Sequence, residues 1–294
     1  MKILLTGKNG QVGFELNKKL LALGDVIAIG REDLNLENSD DIYLFLDQIR
    51  PDLIIHTAAY TAVDKAESEG KLCYEINVNA SRALASKSIE YGIPLIYFST
   101  DYVFDGLKDK PYIEEDKVNP ASVYGKTKCE GEALVREHKK HIILRTSWIF
   151  GSHGDNFLKK ILCHIQEKKS LSVVSDQKGS PASASMLADV TFKIAQNILD
   201  NKDFKDYGTY HLTSKGETNW YGYACFIVNE TMKLGFHTNI TPDQIKAIST
   251  DAYPTAAKRP LNSRLSTEKI SKTFMLELPN WKNEVRKVLK DLIR

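Results

Sequence analysis

The sequence predicts an α/β fold, in which a doubly wound parallel sheet with helices on both faces is joined to a smaller α+β domain. Three observations favour this fold class. An apolar run at residues 2–6 leads directly into a glycine-rich turn and then into a helical pattern. Further apolar runs of strand length alternate with helical patterns as far as residue 145. After residue 151 this alternation gives way to helices and shorter strands.

The composition limits the classes of protein to which the chain can belong. With 42% hydrophobic and 27% charged residues, the 294-residue chain resembles an ordinary globular protein. A net charge of +2, from 40 basic and 38 acidic residues, argues against a nucleic-acid partner. No apolar run approaches the ~20 residues that span a membrane, and we expect neither a secretory leader nor a membrane partner. The four scattered cysteines form no C-x-x-C pair, so reduced thiols and a cytoplasmic location are expected.

The turn after the first strand carries the first functional signal. Gly7, Gly10 and Gly13 are spaced as G-x-x-G-x-x-G, with Gln11 and Val12 between the last two. A strand, a glycine turn and a helix in this order present backbone N–H groups and a positive helix end to a pyrophosphate. The turn is therefore predicted to bind a dinucleotide in a Rossmann-like domain.

The end of the second strand, predicted at residues 26–29, bears on which dinucleotide is bound. An acid at this strand end usually bonds the adenosine ribose of NAD. Here Gly30 and Arg31 occupy that place. A guanidinium suits a 2′-phosphate, because its planar fork grips two oxygens. We therefore expect NADPH, with NADH as the alternative because Glu32 and Asp33 follow Arg31.

The third and fourth strands are predicted at residues 52–56 and 95–98, with one long helix over 66–91 between them. The third strand leads into Ala58–Tyr60 and the fourth into Ser99–Asp101. Ligands bind at the carboxyl ends of strands in open parallel sheets, so these residues should meet the glycine turn at one edge.

The next helix, predicted to open at Asn119 and Pro120, carries a Tyr-x-x-x-Lys pair. Tyr124 and Lys128 are four residues apart and so share one helix face. A phenol with a pKa of about 10 is a poor acid–base group near pH 7, and an adjacent ammonium favours the phenolate. On spacing alone, an exposed pair without a catalytic role remains the simpler interpretation.

Taken together, the glycine turn, the Ser/Thr after the fourth strand and the Tyr–Lys pair resemble an extended short-chain dehydrogenase/reductase. A more specific resemblance, to the dTDP-4-dehydrorhamnose reductase family, extends over nearly the whole chain. The segments that carry it are residues 7–13, 62–67, 99–104, 124–128, 145–148, 176–181, 252–255 and 259–265.

The resemblance implies reduction of the C4 ketone of dTDP-4-dehydro-β-L-rhamnose, a dTDP-sugar substrate, to dTDP-β-L-rhamnose. Tyr124 is the implied proton donor, Lys128 its electrostatic partner, and Thr100 the third catalytic residue. The implied cofactor-binding residues are Gly7, Gly10, Gln11, Val12, Gly13, Arg31, Asn35, Leu36, Ala58, Ala59, Tyr60, Tyr124 and Lys128. The implied substrate-binding residues are Thr100, Asp101, Trp148, Arg259 and Asn262.

Two departures qualify the resemblance. The family often has aspartate where Asn35 stands, although an amide can still hydrogen-bond adenine. Some members are described as magnesium-bridged dimers; Glu15 matches one of the ligands, but Ser185–Leu187 lacks another. One carboxylate seldom holds a hard cation, so no metal site is predicted and the chain is expected to be a monomer or a homodimer.

The predicted domains are a nucleotide-binding domain at 1–150, to which roughly 185–215 returns, and a mainly substrate-binding domain at 151–294. Two rival functions remain open. One is reduction or epimerisation of another nucleotide sugar on the same fold. The other is a non-catalytic NADP-binding regulatory subunit.

Overall fold

The computed structural model describes residues 1–293 and is built from alternating strands and helices. The strands are β1 (Lys2–Thr6), β2 (Asp25–Ile29), β3 (Leu53–His56), β4 (Leu95–Thr100), β5 (His141–Thr146), β6 (Ile149–Phe150), β7 (Leu171–Val174), β8 (Lys178–Gly179), β9 (Ala182–Ser183), β10 (Gly208–His211), β11 (Thr218–Asn219) and β12 (Ile245–Ile248). The helices are α1 (Gln11–Leu20), α2 (Ser39–Ile49), α3 (Val63–Ala66), α4 (Gly70–Tyr74), α5 (Ala80–Tyr91), α6 (Val123–Arg136), α7 (Phe157–Glu167), α8 (Ala184–Asp200), α9 (Trp220–Lys233), α10 (Glu268–Thr273) and α11 (Trp281–Leu292).

Six strands form the central sheet in the order β2-β1-β3-β4-β5-β10, and every neighbouring pair is parallel. The predicted doubly wound parallel sheet is therefore confirmed. Its strand order reverses between β1 and β3, so a crevice opens between their carboxyl ends. This switch point is where an open α/β sheet binds its ligand.

Both faces of the sheet are covered, because its strands are apolar on both sides. In β1, Ile3 and Leu5 pack in a core cluster with residues of α1 and α8, whereas Leu4 packs in another with α2 and α5. This division follows from the alternation of side chains along a strand. Since α8 and β10 complete one layer and one edge of the sheet, residues 184–211 pack with the first half of the chain.

The rest of the second half has its own apolar core. Helices α7, α9 and α11 contribute Leu158, Ile161, Ile227 and Val285 to a cluster separate from those of the sheet. The two-stranded sheet of β7 and β12 lies against it through Leu171. No helix within residues 1–293 is long and apolar enough to cross a membrane.

The predicted long helix over residues 66–91 is wrong in detail. α3 ends at Ala66, α4 restarts at Gly70, and a π-helical turn at Glu75–Asn79 leads into α5. The turn contains Asn77, whose amide is hydrogen-bonded to the backbone of Tyr60 after β3. The π-helical turn therefore coincides with the residue that hydrogen-bonds the backbone after β3.

The helix that carries the Tyr–Lys pair starts later than predicted. Its N-cap is Ser122, whose hydroxyl accepts a hydrogen bond from the N–H of Gly125 at 3.1 Å. The amide of Asn119 is used elsewhere, as a donor to Asp105 at 3.1 Å. Both residues are good caps by type, and only the tertiary contact of Asn119 decides between them.

Candidate active site

The turn between β1 and α1 (residues 7–13) is shaped to hold an anion. Gly7 has a φ of +79°, and a Cβ there would lie 2.8 Å from the nitrogen of Ala58. A Cβ on Gly13 would lie 2.1 Å from the carbonyl oxygen of Gly7. Gly10 caps α1 without a side-chain acceptor for the first N–H groups of the helix. These donors and the positive helix end therefore suit a pyrophosphate at the switch point.

Gln11 and Val12, the first two residues of α1, have different surroundings. Val12 is buried in the core cluster below the sheet edge. The Gln11 side-chain oxygen accepts a hydrogen bond from Asn156 at 3.0 Å, and Asn156 in turn caps α7 by accepting from the N–H of Lys159. The side chain of Gln11 thus links the start of α1 to the second half of the chain. The backbone of Gln11 is the part predicted to face the cofactor.

The segment after β3 is held close to the turn. Ala58 and Ala59 are half-buried, and the N–H of Ala58 donates to the hydroxyl of Thr6. The backbone of Tyr60 bonds both ways to Asn77, at 2.9 and 3.3 Å. Its phenol donates to Glu69, and this hydrogen bond raises the pKa of Tyr60 to about 12. Small side chains at 58 and 59 leave room beside the switch point.

The predicted ribose and adenine contacts lie on the adjoining surface. Arg31 and Asn35 are exposed, and Leu36 is half-buried against the core. The side-chain oxygen of Asn35 accepts from the N–H of Glu37 at 3.0 Å, so the amide N–H₂ is the part of this side chain that can donate to a ligand.

An ion-pair cluster that the sequence analysis missed also lies here. The Lys8 ammonium is 2.6 Å from Asp33 and 3.2 Å from Glu32. Asn9 donates to Glu32 at 3.0 Å, and Asp33 also accepts from the N–H of Gly30 at 2.7 Å. The hydrogen bond to Asp33 is the main reason that the pKa of Lys8 lies above its ordinary value.

The end of β4 brings Thr100 and Asp101 beside Tyr124. All three are buried, and the Thr100 hydroxyl donates to Asp101 at 3.0 Å. Burial raises the pKa of Asp101 to about 6, against the opposing hydrogen bonds of Ser263 and Thr100. Burial also raises the pKa of Tyr124, and a hydrogen bond with Thr100 opposes that rise. The phenol is therefore protonated at neutral pH, as a proton donor must be.

Lys128 is placed differently from the expectation. Its ammonium donates to the carbonyl oxygen of Phe98 at 2.7 Å and lies 4.0 Å from the ring centre of Tyr97. Burial lowers the pKa of Lys128 to about 7, while Glu132, one turn further along α6, raises it. Burial of the phenol is the largest influence on the pKa of Tyr124 and raises it, which is opposite to the direction expected from a neighbouring lysine.

A buried ion pair supports this part of α6 from below. Glu132 and Arg145 form two hydrogen bonds, at 2.8 and 2.7 Å, and both residues are almost fully buried. Burial alone would raise the pKa of Glu132, but the hydrogen bonds and charge of Arg145 hold it below its ordinary value. The pair joins α6 to β5 one helical turn beyond Lys128, and so fixes the position of α6 relative to the sheet.

A cleft of about 460 Å³ lies in the second half, between α7, β7 and the loop before α10. Its walls include aromatic rings of Phe157, Trp220 and Tyr253. Lys160, His164, Lys168 and Arg259 add basic side chains, and the described lining contains no acidic residue. A cleft with stacking surfaces and cations suits a base joined to phosphates.

The predicted substrate residue Trp148 stands behind this cleft. Its backbone has a φ of +48°, and its indole stacks on Trp220 with ring centres 3.6 Å apart. A Cβ on Gly179 would lie 2.5 Å from the indole, so only glycine admits the ring in this position. Trp148 thus supports Trp220, which itself lines the cleft.

The two predicted residues before α10 have different surroundings. Arg259 lines the cleft, pairs with Asp64 at 2.6 Å and donates to the hydroxyl of Tyr102 at 3.1 Å. Tyr102 packs edge-on against Tyr124, so Arg259 links the cleft to the phenol. Asn262 is buried, and its amide donates to two backbone carbonyls of the loop at 108–110. This geometry gives Asn262 a structural role and does not support the predicted substrate contact.

The comparisons place this geometry in a family. The sequence profile described as RmlD substrate binding domain matches residues 1–294. The dTDP-4-dehydrorhamnose reductase of Escherichia coli strain K12 is 42% identical to the chain, covering 99% of the chain and 98% of the relative. The chain belongs to the RmlD family. The resemblance drawn from the sequence motifs is confirmed.

Other proteins are similar to the chain over the same length. The spore coat polysaccharide biosynthesis protein SpsK of Bacillus subtilis is 33% identical, covering 99% of the chain and 97% of the relative. A dTDP-4-dehydrorhamnose reductase from Clostridium acetobutylicum has a TM-score of 0.92 at 36% identity, and each chain covers 100% of the other. The Bacillus anthracis enzyme in complex with NADP has a TM-score of 0.88 at 32% identity, with 99% of each chain covered.

Sequence reasoning overlooked most of the cleft. Phe157, Lys160, His164 and Trp220 come from two helices more than fifty residues apart, and no motif of the RmlD family resemblance includes them. One available signal was the aromatic and basic residues at the start of α7, together with the aromatic residues at the start of α9. Within residues 1–293, no group of three or more His, Cys, Asp or Glu side chains could hold a metal ion.

Proposed function

We propose that this chain catalyses the NADPH-dependent reduction of the C4 ketone of dTDP-4-dehydro-β-L-rhamnose to dTDP-β-L-rhamnose, with NADH as an alternative reductant. The observation that carries the proposal is the buried Thr100–Tyr124 pair at the end of β4, in the same sheet edge as the glycine turn. Membership of the RmlD family supports the substrate class. The NADP in the Bacillus anthracis relative supports the choice of dinucleotide.

Bound dinucleotide supplies the hydride for the ketone carbon. Tyr124 then gives its phenolic proton to the oxygen that becomes an alkoxide, since burial keeps this phenol protonated at neutral pH. The Thr100 hydroxyl lies beside the phenol and is oriented by its hydrogen bond to Asp101. Lys128, held on the carbonyl of Phe98, supplies a donor on the same helix face for the nicotinamide ribose. Holding these groups in place contributes much of the rate enhancement.

We assign the cleft to the nucleotide of the sugar substrate. Phe157 and Trp220 offer flat surfaces to a base, and Lys160, Lys168 and Arg259 offer charge to a diphosphate. The contact of Arg259 with Tyr102, and of Tyr102 with Tyr124, connects this cleft to the phenol. A nucleotide sugar lying along this wall would present its sugar to Tyr124.

The domain assignment follows from the same arrangement. We infer a nucleotide-binding domain at 1–150, completed by roughly 185–215, and a substrate-binding domain formed mainly by the rest of 151–294. The separate core around α7, α9 and α11 supports this division. We also infer a cytoplasmic location, because the four cysteines are unpaired and suit a reducing compartment.

The test is oxidation of NADPH with dTDP-4-dehydro-β-L-rhamnose, compared with the UDP- and GDP-linked 4-keto sugars. We expect Tyr124→Phe to lower kcat by roughly 10²- to 10⁴-fold, as for loss of a general acid, and to keep dinucleotide binding. Tyr74→Phe is the matched control, because the phenol of Tyr74 bonds Glu130 of the same helix at 2.6 Å. Equal turnover by Tyr124→Phe and the wild type would refute the mechanism, and faster turnover of another nucleotide sugar would refute the substrate.

A further inference from the structure

The ion-pair cluster beside the glycine turn lies where a dinucleotide presents its adenosine ribose. β1 and β2 are parallel neighbours, with Thr6 opposite Ile29, so their carboxyl ends share one edge. The N–H groups of Gly7 and Lys8 both donate to the carbonyl of Ile29, at 2.8 and 3.1 Å. In this fold the residues that follow the second strand contact the 2′ position of the ribose. Lys8 reaches the same place from the other side of the edge.

The charges at this edge are balanced. Lys8 and Arg31 supply two positive charges, and Glu32 and Asp33 supply two negative ones. A 2′-phosphate needs cations, whereas the 2′-hydroxyl of NAD needs an acceptor such as a carboxylate. The edge therefore contains cations that suit the 2′-phosphate of NADPH and carboxylates that suit the 2′-hydroxyl of NADH. Which of these groups can meet the ribose depends on whether Lys8 is paired with a carboxylate.

The pairing of Lys8 is suited to exchange. The exposed fractions of the side chains are 27% for Lys8, 54% for Glu32 and 37% for Asp33. Ion pairs of such exposed groups contribute little net stability, because water competes for both partners. A phosphate dianion can therefore replace Asp33 as the partner of Lys8 at small cost. In the structure Lys8 is paired with Asp33, and Glu32 is held in place by Asn9.

We propose that Lys8 determines the cofactor specificity of this chain, by moving from Asp33 to the 2′-phosphate when NADPH binds and staying on Asp33 when NADH binds. The inference rests on the proposed use of a dinucleotide, and it assigns to Lys8 a part that the sequence motif gave to Arg31. Arg31 is exposed and forms an ion pair with neither Glu32 nor Asp33 in the described part of the chain. It therefore adds positive charge at this edge but does not respond to which dinucleotide is bound.

The experiment measures the dissociation constants of NADP⁺ and NAD⁺ by calorimetry, for the wild type and for Lys8→Met. Loss of a charge-assisted hydrogen bond to phosphate should weaken NADP⁺ binding roughly 10- to 100-fold, and NAD⁺ binding should change by less than about threefold. The steepness with which NADP⁺ affinity falls with salt should also decrease, because one cation fewer meets the phosphate.

Lys19→Met is the matched control. Lys19 also pairs with a carboxylate, that of Asp189, at 2.6 Å and with 31% of its side chain exposed, but it lies at the far end of α1. It should leave both dissociation constants unchanged, and circular dichroism should show the same fold for both variants.

A further variant, Glu32→Gln, should weaken NAD⁺ and strengthen NADP⁺, since it removes an acceptor and a repelling charge together. An unchanged ratio of the two constants in Lys8→Met would overturn the proposal and return the choice to Arg31. Failure of the wild type to bind either dinucleotide would instead refute the proposed function.

Discussion

Replacement of the buried Asp101 by asparagine should stabilise the chain in a pH-dependent way. Burial raises the pKa of this carboxyl from 3.8 to about 6. Between these two values the folded chain binds more protons than the unfolded chain, so its stability falls as the pH rises through this window. At ~1.4 kcal/mol per pKa unit, the ionised carboxylate costs about 3 kcal/mol above pH 6.

Asparagine has the same shape and removes this cost. Its oxygen can accept from Thr100, as the carboxylate oxygen does at 3.0 Å. The other carboxylate oxygen of Asp101 is buried without a hydrogen-bond partner, and an N–H₂ group there has Ser263 nearby as an acceptor. We expect Asp101→Asn to unfold at higher urea concentration than the wild type above pH 6, by up to ~3 kcal/mol. At ~2–4 °C per kcal/mol, a gain of ~3 kcal/mol corresponds to a rise in Tm of roughly 6–12 °C.

The assay is urea unfolding of both proteins from pH 5 to pH 8.5. The difference in free energy of unfolding should grow with pH up to about 7 and then level off. Asp25→Asn, at an exposed position, is the control and should show no such rise. A difference in free energy that is constant with pH, or that favours the wild type above pH 6, would show that burial does not raise the pKa of Asp101. Turnover should fall in the same variant, because Thr100 loses its charged acceptor.

Two further variants test the support of the site. Arg145→Met removes two hydrogen bonds from the buried carboxylate of Glu132, which keeps the part-exposed Arg136 at 2.9 Å, and should cost up to about 3–5 kcal/mol in urea unfolding. Replacing both Arg145 and Glu132 by methionine and leucine should recover most of that loss. Gly13→Ala places a Cβ 2.1 Å from the carbonyl oxygen of Gly7, and the forced shift of the turn should weaken NADP⁺ binding at least ~10-fold by calorimetry. Unchanged stability in the first case, or unchanged affinity in the second, would contradict this packing.

Local patterns predicted most of the first half. The strand, glycine turn and helix at residues 2–20 depend on neighbours in sequence, and the parallel strands are recognisable from their apolar runs. The position of Thr100 and Asp101 at a strand end followed from the same reasoning. The motif spacing also put Tyr124 and Lys128 on one helix face.

What a side chain bonds to across the fold could not be predicted in this way. Lys128 finds the carbonyl of Phe98, and Lys8 finds Asp33, through contacts between segments 25 or 30 residues apart. Burial then sets the pKa values of Tyr124 and Asp101, and burial is a property of the finished fold. The polar groups of Asn262 are used by the neighbouring loop, which no spacing rule reveals.

The pairing of β10 with β5 has a consequence for the newly made chain. The sixth strand of the sheet is residues 208–211, and the helix that covers α1 precedes it at Ala184–Asp200. Until the ribosome has released these residues, the apolar layer around Ile3, Leu16 and Leu144 lacks the buried side chains that α8 and β10 contribute to it. We therefore expect the first half to remain partly folded until α8 and β10 have been synthesised. During this interval the chain is most prone to aggregate or to bind a chaperone.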